Sequence, residues 1–130
     1  MNRNNRIFAA LADSSTFVAN GPASQIHPAV EPQPGDIVVD KKRVSAFAGS
    51  DLDMVLRAQR VQTLVLGGIA TSGVVLSTLR QAADLDYGLV VLRDGCADAD
   101  DEVHRVLLDK VFRRQADVLV VDEWIAGLAP

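Results

Sequence analysis

Four short apolar runs set the limits on what this chain can fold into: Ile37–Val39, Thr63–Leu66, Leu89–Leu92 and Val118–Val121. They are continuous rather than alternating, the pattern of strands covered on both faces, as in a parallel sheet under helices. Between the last three lie segments with helical periodicity. The segment 72–85 places Val75, Thr78, Leu79, Ala82 and Ala83 on one stripe. The segment 100–114 does the same with Val103, Val106, Leu107 and Val111, leaving His104 on the outer side beside Arg105. Strand–helix alternation of this kind predicts an α/β fold with a mainly parallel sheet.

The remainder fits a single domain over 1–130. Ile7, Phe8 and Leu11 mark a short helix over 3–11. Asn20-Gly21-Pro22, His27-Pro28, Pro32 and Pro34-Gly35 make 12–35 a loop, long enough to suggest a wrapping or functional segment. Ser50 is the expected N-cap of a helix that buries Leu52, Val55 and Leu56, with Asp53 placed for a near capping box. A last short helix carries Trp124, Ile125 and Leu128.

A net charge of −4, scattered arginines and few aromatic residues argue against nucleic acid as a partner. No apolar run reaches membrane-spanning length, and the first residues do not form a signal peptide, so neither a membrane nor secretion is expected. Cys96 is the single cysteine, which excludes a disulfide within the chain and fits a reducing, cytoplasmic setting.

The stretch Gly67 to Thr78 stands where a buried strand hands over to a helix, and ligand sites of open α/β sheets lie at such junctions. Amides that open a helix have no intrahelical partner and can face an anion. The stretch is not a P-loop, because Val74-Val75 replace the required Lys-Ser/Thr. It contains neither the dinucleotide fingerprint nor a nucleophile elbow around Ser72. Close strand–helix packing would by itself also call for small residues here.

Lys41 follows a strand on the same sheet edge, where a lysine can hold a carboxylate; a solvated Lys-Lys-Arg run is the plainer account. Cys96 has no local activating base and has acidic neighbours, so an inert thiol is expected. The acidic run Asp98 to Glu102 lacks calcium-loop spacing and suits a helix N-terminus. His27 can line a pocket, but no set of residues has metal-ligand spacing, and neither metal nor cofactor is expected.

Three linked stretches together resemble the isochorismatase-like hydrolases, the superfamily of isochorismatases, nicotinamidases and N-carbamoyl amidohydrolases. They are Val39 to Leu52 (with Lys41, Ser45, Phe47 and Asp51), Leu64 to Thr71, and Ser77 to Ala82. Ile26-His27-Pro28 and Pro34-Gly35-Asp36 resemble its connecting loop, and the resemblance runs from about Arg6 to the end.

It implies a three-layer Rossmann-like sandwich and a site built from an aspartate, a lysine and a cysteine. The lysine matches Lys41. The peptide bond before the turn's alanine is commonly cis in the family, here Ile69–Ala70. The turn's amides, with Gly68, Ile69, Ala70, Thr71, Gly73 and Val74 as the substrate- or oxyanion-binding set, would stabilise developing negative charge. Val74 stands where the family cysteine falls, so a thioester route is not expected, and Cys96 does not match that position. Isochorismatases cleave a vinyl ether without this cysteine. The family's first strand–helix–strand unit, with its aspartate and the metal-binding segment of nicotinamidases, has no counterpart here, so the fold is expected to be N-terminally short.

The expected function is therefore a hydrolase of a small carboxylated or amide substrate, with Lys41 binding or polarising it. The alternative is a non-catalytic relic that binds a small ligand or another subunit. Apolar edges left by the absent strands point to a homo-oligomer.

Overall fold

The computed structural model describes residues 4–12 and 21–128. The chain divides into two compact units, Met1–Val38 and Val39–Pro130. In the first, helix α1 spans Arg6–Ala12. Two single 3-10 turns follow, Pro22–Ser24 and Pro28–Val30, each with proline in its first position, where the missing N–H costs nothing. Part of the loop predicted over 12–35 lies outside the described residues.

The second unit runs α2 (Leu52–Ala58), β1 (Thr63–Ile69), α3 (Leu76–Asp84), β2 (Gly88–Ala97), α4 (Asp101–Val106), β3 (Asp117–Leu119) and α5 (Val121–Gly127). The strands form one sheet in the order β1-β2-β3, parallel throughout and flanked by helices. This is the α/β fold with a parallel sheet that the apolar runs predicted, in the helix-flanked arrangement that the resemblance implied. Leu79, Val91, Leu108 and Phe112 are fully buried at its centre, with Val75 at 2% exposure.

Several expectations need correction. Ile37–Val39 is not a strand: Ile37 and Val38 are 55% and 61% exposed and join no ladder. Strand propensity without a partner and a face to bury does not make a strand. β1 is not covered on both faces. Its residues alternate, and Val65 and Ile69 remain 37% and 76% exposed, because β1 is an edge strand with no further strand beside it among the described residues.

β1 and β2 both run past their predicted ends, because β1 continues through its two glycines. There the register shifts between Leu66 and Gly68, and Gly68 and Ile69 pair with Cys96 and Ala97. Val121 opens α5 instead of ending β3, since its N–H donates to Asp94 Oδ1 (2.9 Å) and not to a ladder.

The segment 100–114 is not one regular helix. A π-helical turn, Leu107–Val111, and a 3-10 turn, Phe112–Arg114, follow α4. The inner stripe runs through His104, Leu107, Leu108 and Phe112, rotated about one position from the predicted one. Leu107, Leu108 and Phe112 are buried, while Val103 is 38% exposed. The same rotation corrects His104, which is half-buried rather than on the outer face.

Candidate functional site

The C-terminal end of β1 is shaped by two glycines with different tasks. A Cβ on Gly67 would lie 2.9 Å from the carbonyl oxygen of Gly95 in β2, so the two strands approach as closely as a bare backbone permits. Gly68 takes φ +138°, a conformation that L side chains rarely adopt. Ile69–Ala70 is a cis peptide bond, as the resemblance implied. Ala70 is extended (φ −97°, ψ 151°), and one π-helical turn, Thr71–Val75, then leads into α3.

The amides of this turn are partly engaged. The Ala70 carbonyl accepts from Gly73 N (3.1 Å) and Val75 N (3.2 Å). Ser72 N donates to Asp98 Oδ2 at 2.7 Å. The Ser72 hydroxyl and then its amide hold the Asp98 carboxyl down to about 2. Neither the Ala70 carbonyl nor Asp98 engages the amides of Thr71 and Val74.

The Thr71 side chain is fully buried, and its Oγ1 lies 2.7 Å from His104 Nδ1 on α4. Asp98, just past β2, and His104 on α4 therefore grip two successive residues of the turn. The last part of β2 and the residues just past it also anchor the turns and helices around them. Asp94 accepts from Val121 N of α5, Asp98 from Ser72 N before α3, and Asp100 from Glu102 N and Val103 N of α4. The acidic run thus acts by capping. Among the described residues no three His, Cys, Asp or Glu side chains group as a metal site, and no helix is long and apolar enough to cross a membrane.

Gly68 and Ile69 end β1, and Ala70, Thr71, Gly73 and Val74 follow them into the turn. Lys41 is exposed, and its ammonium donates to the Arg43 carbonyl (2.7 Å). The segment after it is pinned to α3, where Ser45 Oγ donates to Gln81 Oε1 (2.7 Å) and Ala46 N to Thr78 Oγ1 (3.0 Å). Phe47, buried beside Tyr87 with ring centroids 5.9 Å apart, completes that attachment. Cys96 is half-buried opposite Gly68, and burial pushes its thiol above the ordinary range. His27 Nδ1 accepts from Ala29 N within its own turn.

Sequence reasoning missed His104 and Asp98. Asp98 carried a usable signal, an acidic residue just ahead of a helix start, but not its target. His104 stands three and four residues before the apolar Leu107 and Leu108, so spacing could have placed it on the inner stripe, but not named Thr71 as its partner.

The sequence profile of the Isochorismatase domain matches residues 1–123. Ureidoacrylate amidohydrolase RutB from Variovorax paradoxus is 41% identical over 106 residues, 78% of this chain and 40% of that protein. An isochorismatase-like hydrolase from Alkaliphilus metalliredigens has a TM-score of 0.81 and 32% identity, covering 86% of this chain and 61% of that one. A cysteine hydrolase from Pseudomonas syringae pv. phaseolicola has a TM-score of 0.86 and 26% identity, over 97% of this chain and 63% of that one. The chain therefore spans two-fifths of the RutB length and under two-thirds of each of these solved structures. Parallel strands, a glycine-shaped turn after β1 and a profile match over nearly the whole sequence agree, and the chain belongs to the isochorismatase family.

Proposed function

We propose that this chain carries the turn-bearing part of an isochorismatase-family hydrolase that acts on a small carboxylated or amide substrate. The observation that carries the reading is the 68–74 turn at the carboxyl end of β1, whose Thr71 and Val74 amides neither the Ala70 carbonyl nor Asp98 takes up. Amides that open a helix stabilise charge that develops on a substrate oxygen. Lys41 would bind the substrate's carboxylate or polarise its carbonyl, its flexible stem leaving the Arg43 carbonyl to do so. Val74 offers no thiol, so water is the nucleophile in this reading and no acyl-enzyme forms. That several relatives are named ureidoacrylate amidohydrolase supports a small carboxylated substrate in this reading.

The test is hydrolysis by the purified chain of ureidoacrylate, isochorismate and simple primary amides. We expect turnover of at least one, reduced about tenfold or more by Lys41→Ala, with the circular dichroism spectrum unchanged. A chain inactive on the whole panel overturns the reading.

The second reading is a non-catalytic module that binds a small ligand or another copy of itself. Val74 at the nucleophile position, together with the exposed apolar residues Val65 and Ile69 on β1, supports it. Sedimentation velocity would then give a dimer or larger, and a stable monomer would count against self-association.

A further inference from the structure

We propose that His104 is the positioning residue of the 68–74 turn, acting at its Nδ1 on the hydroxyl of Thr71. The inference rests on the hydrolase reading for its effect on turnover, but not for the contact itself.

Thr71 is the first residue of the turn, and its side chain has no exposed surface. A buried hydroxyl must find a hydrogen-bond partner, since leaving it unsatisfied forfeits its hydration with nothing in return. Within a helical turn threonine commonly bonds back to its own backbone. Here the hydroxyl is instead 2.7 Å from a ring nitrogen 33 residues away in sequence. The contact is specific in reach as well as in chemistry: Nδ1, the nitrogen nearer the backbone, makes it.

The helix behind that ring is itself held. Asp100 caps α4 through two amides, both at 3.0 Å. Asp98, just ahead of that cap, takes the next amide of the turn at 2.7 Å. A side chain bond to Thr71 and a backbone bond to Ser72, both from one segment, leave the plane of the intervening peptide little freedom. The Thr71 and Val74 amides flank that fixed point. Orientation of such amides is what charge stabilisation demands, because a donor must already point at the oxygen when charge appears there.

Substitutions that differ only in reach test this. Asparagine places a polar atom where Nδ1 stands, whereas glutamine places one near Nε2. His104→Asn is therefore expected to keep the behaviour of the parent, and His104→Gln, His104→Ala and Thr71→Val to lose it. Two readouts separate the claims. The first is amide hydrogen exchange at Ser72, expected to speed up about tenfold in the three disruptive variants and to stay unchanged in His104→Asn. Exchange at Val91 in the centre of β2 serves as the reference for global stability.

The second readout is steady-state kinetics on any substrate the panel yields. A roughly tenfold fall in kcat with KM unchanged is expected, because the turn acts on the transition state. Combining Thr71→Val with His104→Ala should do no more than either alone. Faster Ser72 exchange in a chain that hydrolyses nothing sinks the hydrolase reading and leaves the positioning role standing. Unchanged exchange and kcat in His104→Gln, or equal losses in His104→Asn and His104→Gln, overturn the positioning role.

Discussion

Replacing Gly67 by alanine tests the closest approach in the sheet. The added Cβ would sit 2.9 Å from the Gly95 carbonyl oxygen and 3.6 Å from its carbonyl carbon. Neither atom can rotate aside, because both belong to the backbone of β2. Relief requires β1 and β2 to separate at the register shift, the step that aims the following turn. Overpacking of this kind costs about 1–3 kcal/mol, and a purely backbone obstacle belongs in the upper half of that range. For a chain of 130 residues about 2 kcal/mol lowers Tm by roughly 7 °C. In urea the midpoint should fall by on the order of 1 M.

Two further glycines serve as controls for this experiment. Gly68→Ala meets nothing within 4 Å but must adopt φ +138°, so its loss of about 1–3 kcal/mol is conformational. Gly127→Ala at the end of α5 meets nothing either and should gain up to about 1 kcal/mol from helix propensity. A Gly67→Ala protein with the parent's midpoint, measured beside a weakened Gly68→Ala, would refute the close approach of β1 and β2.

Tyr87, the single tyrosine, is expected to ionise above its ordinary 10, first because it is buried and next because its hydroxyl donates to Asp53 Oδ1. The folded state holds this phenol in its protonated form, so the stability it contributes is present below pH 10 and is lost as pH rises through the raised value. Absorbance at 295 nm should show the shift, and Asp53→Asn should reduce it without abolishing it; titration at 10 in the parent would contradict the burial. Cys96, raised first by burial and also by Asp94, should react with a disulfide reagent at pH 8 at least about tenfold more slowly than in the urea-unfolded chain. Equal rates in the two states would mean that the thiol is open to solvent.

Legibility of the fold followed regularity. The α3 stripe could be read because Val75, Thr78, Leu79 and Ala82 keep an undisturbed helical period, and all four are buried. The strands could be placed but not bounded. Gly67 and Gly68 look like breakers in sequence, yet the ladder passes through them because β2 carries Gly95 at the point of contact. Val121 looks like strand on propensity, and two carboxylates make it the start of a helix: Asp94 takes its N–H and Glu123 takes that of Val120.

The candidate site divides along the same line. Its backbone was readable from glycine placement and from resemblance. The partners of that backbone were not, because Asp98 and His104 reach it through contacts 26 and 33 residues long in sequence. Lys41 was readable only as a motif, and its ammonium rests on Arg43.

The run from Asp94 in β2 to Asp100 has a consequence for how this protein can vary. Asp94 holds the start of α5, Asp100 the start of α4, and Asp98 the turn that leads into α3. Their spacing is thus a shared ruler rather than three separate contacts. Ala97 and Ala99 can change identity at little cost, since no other helix depends on their side chains. Inserting or deleting one residue between 94 and 100 would instead misalign α3, α4 and α5 together. Drift here should proceed by substitution and almost never by change of length, unlike most surface loops.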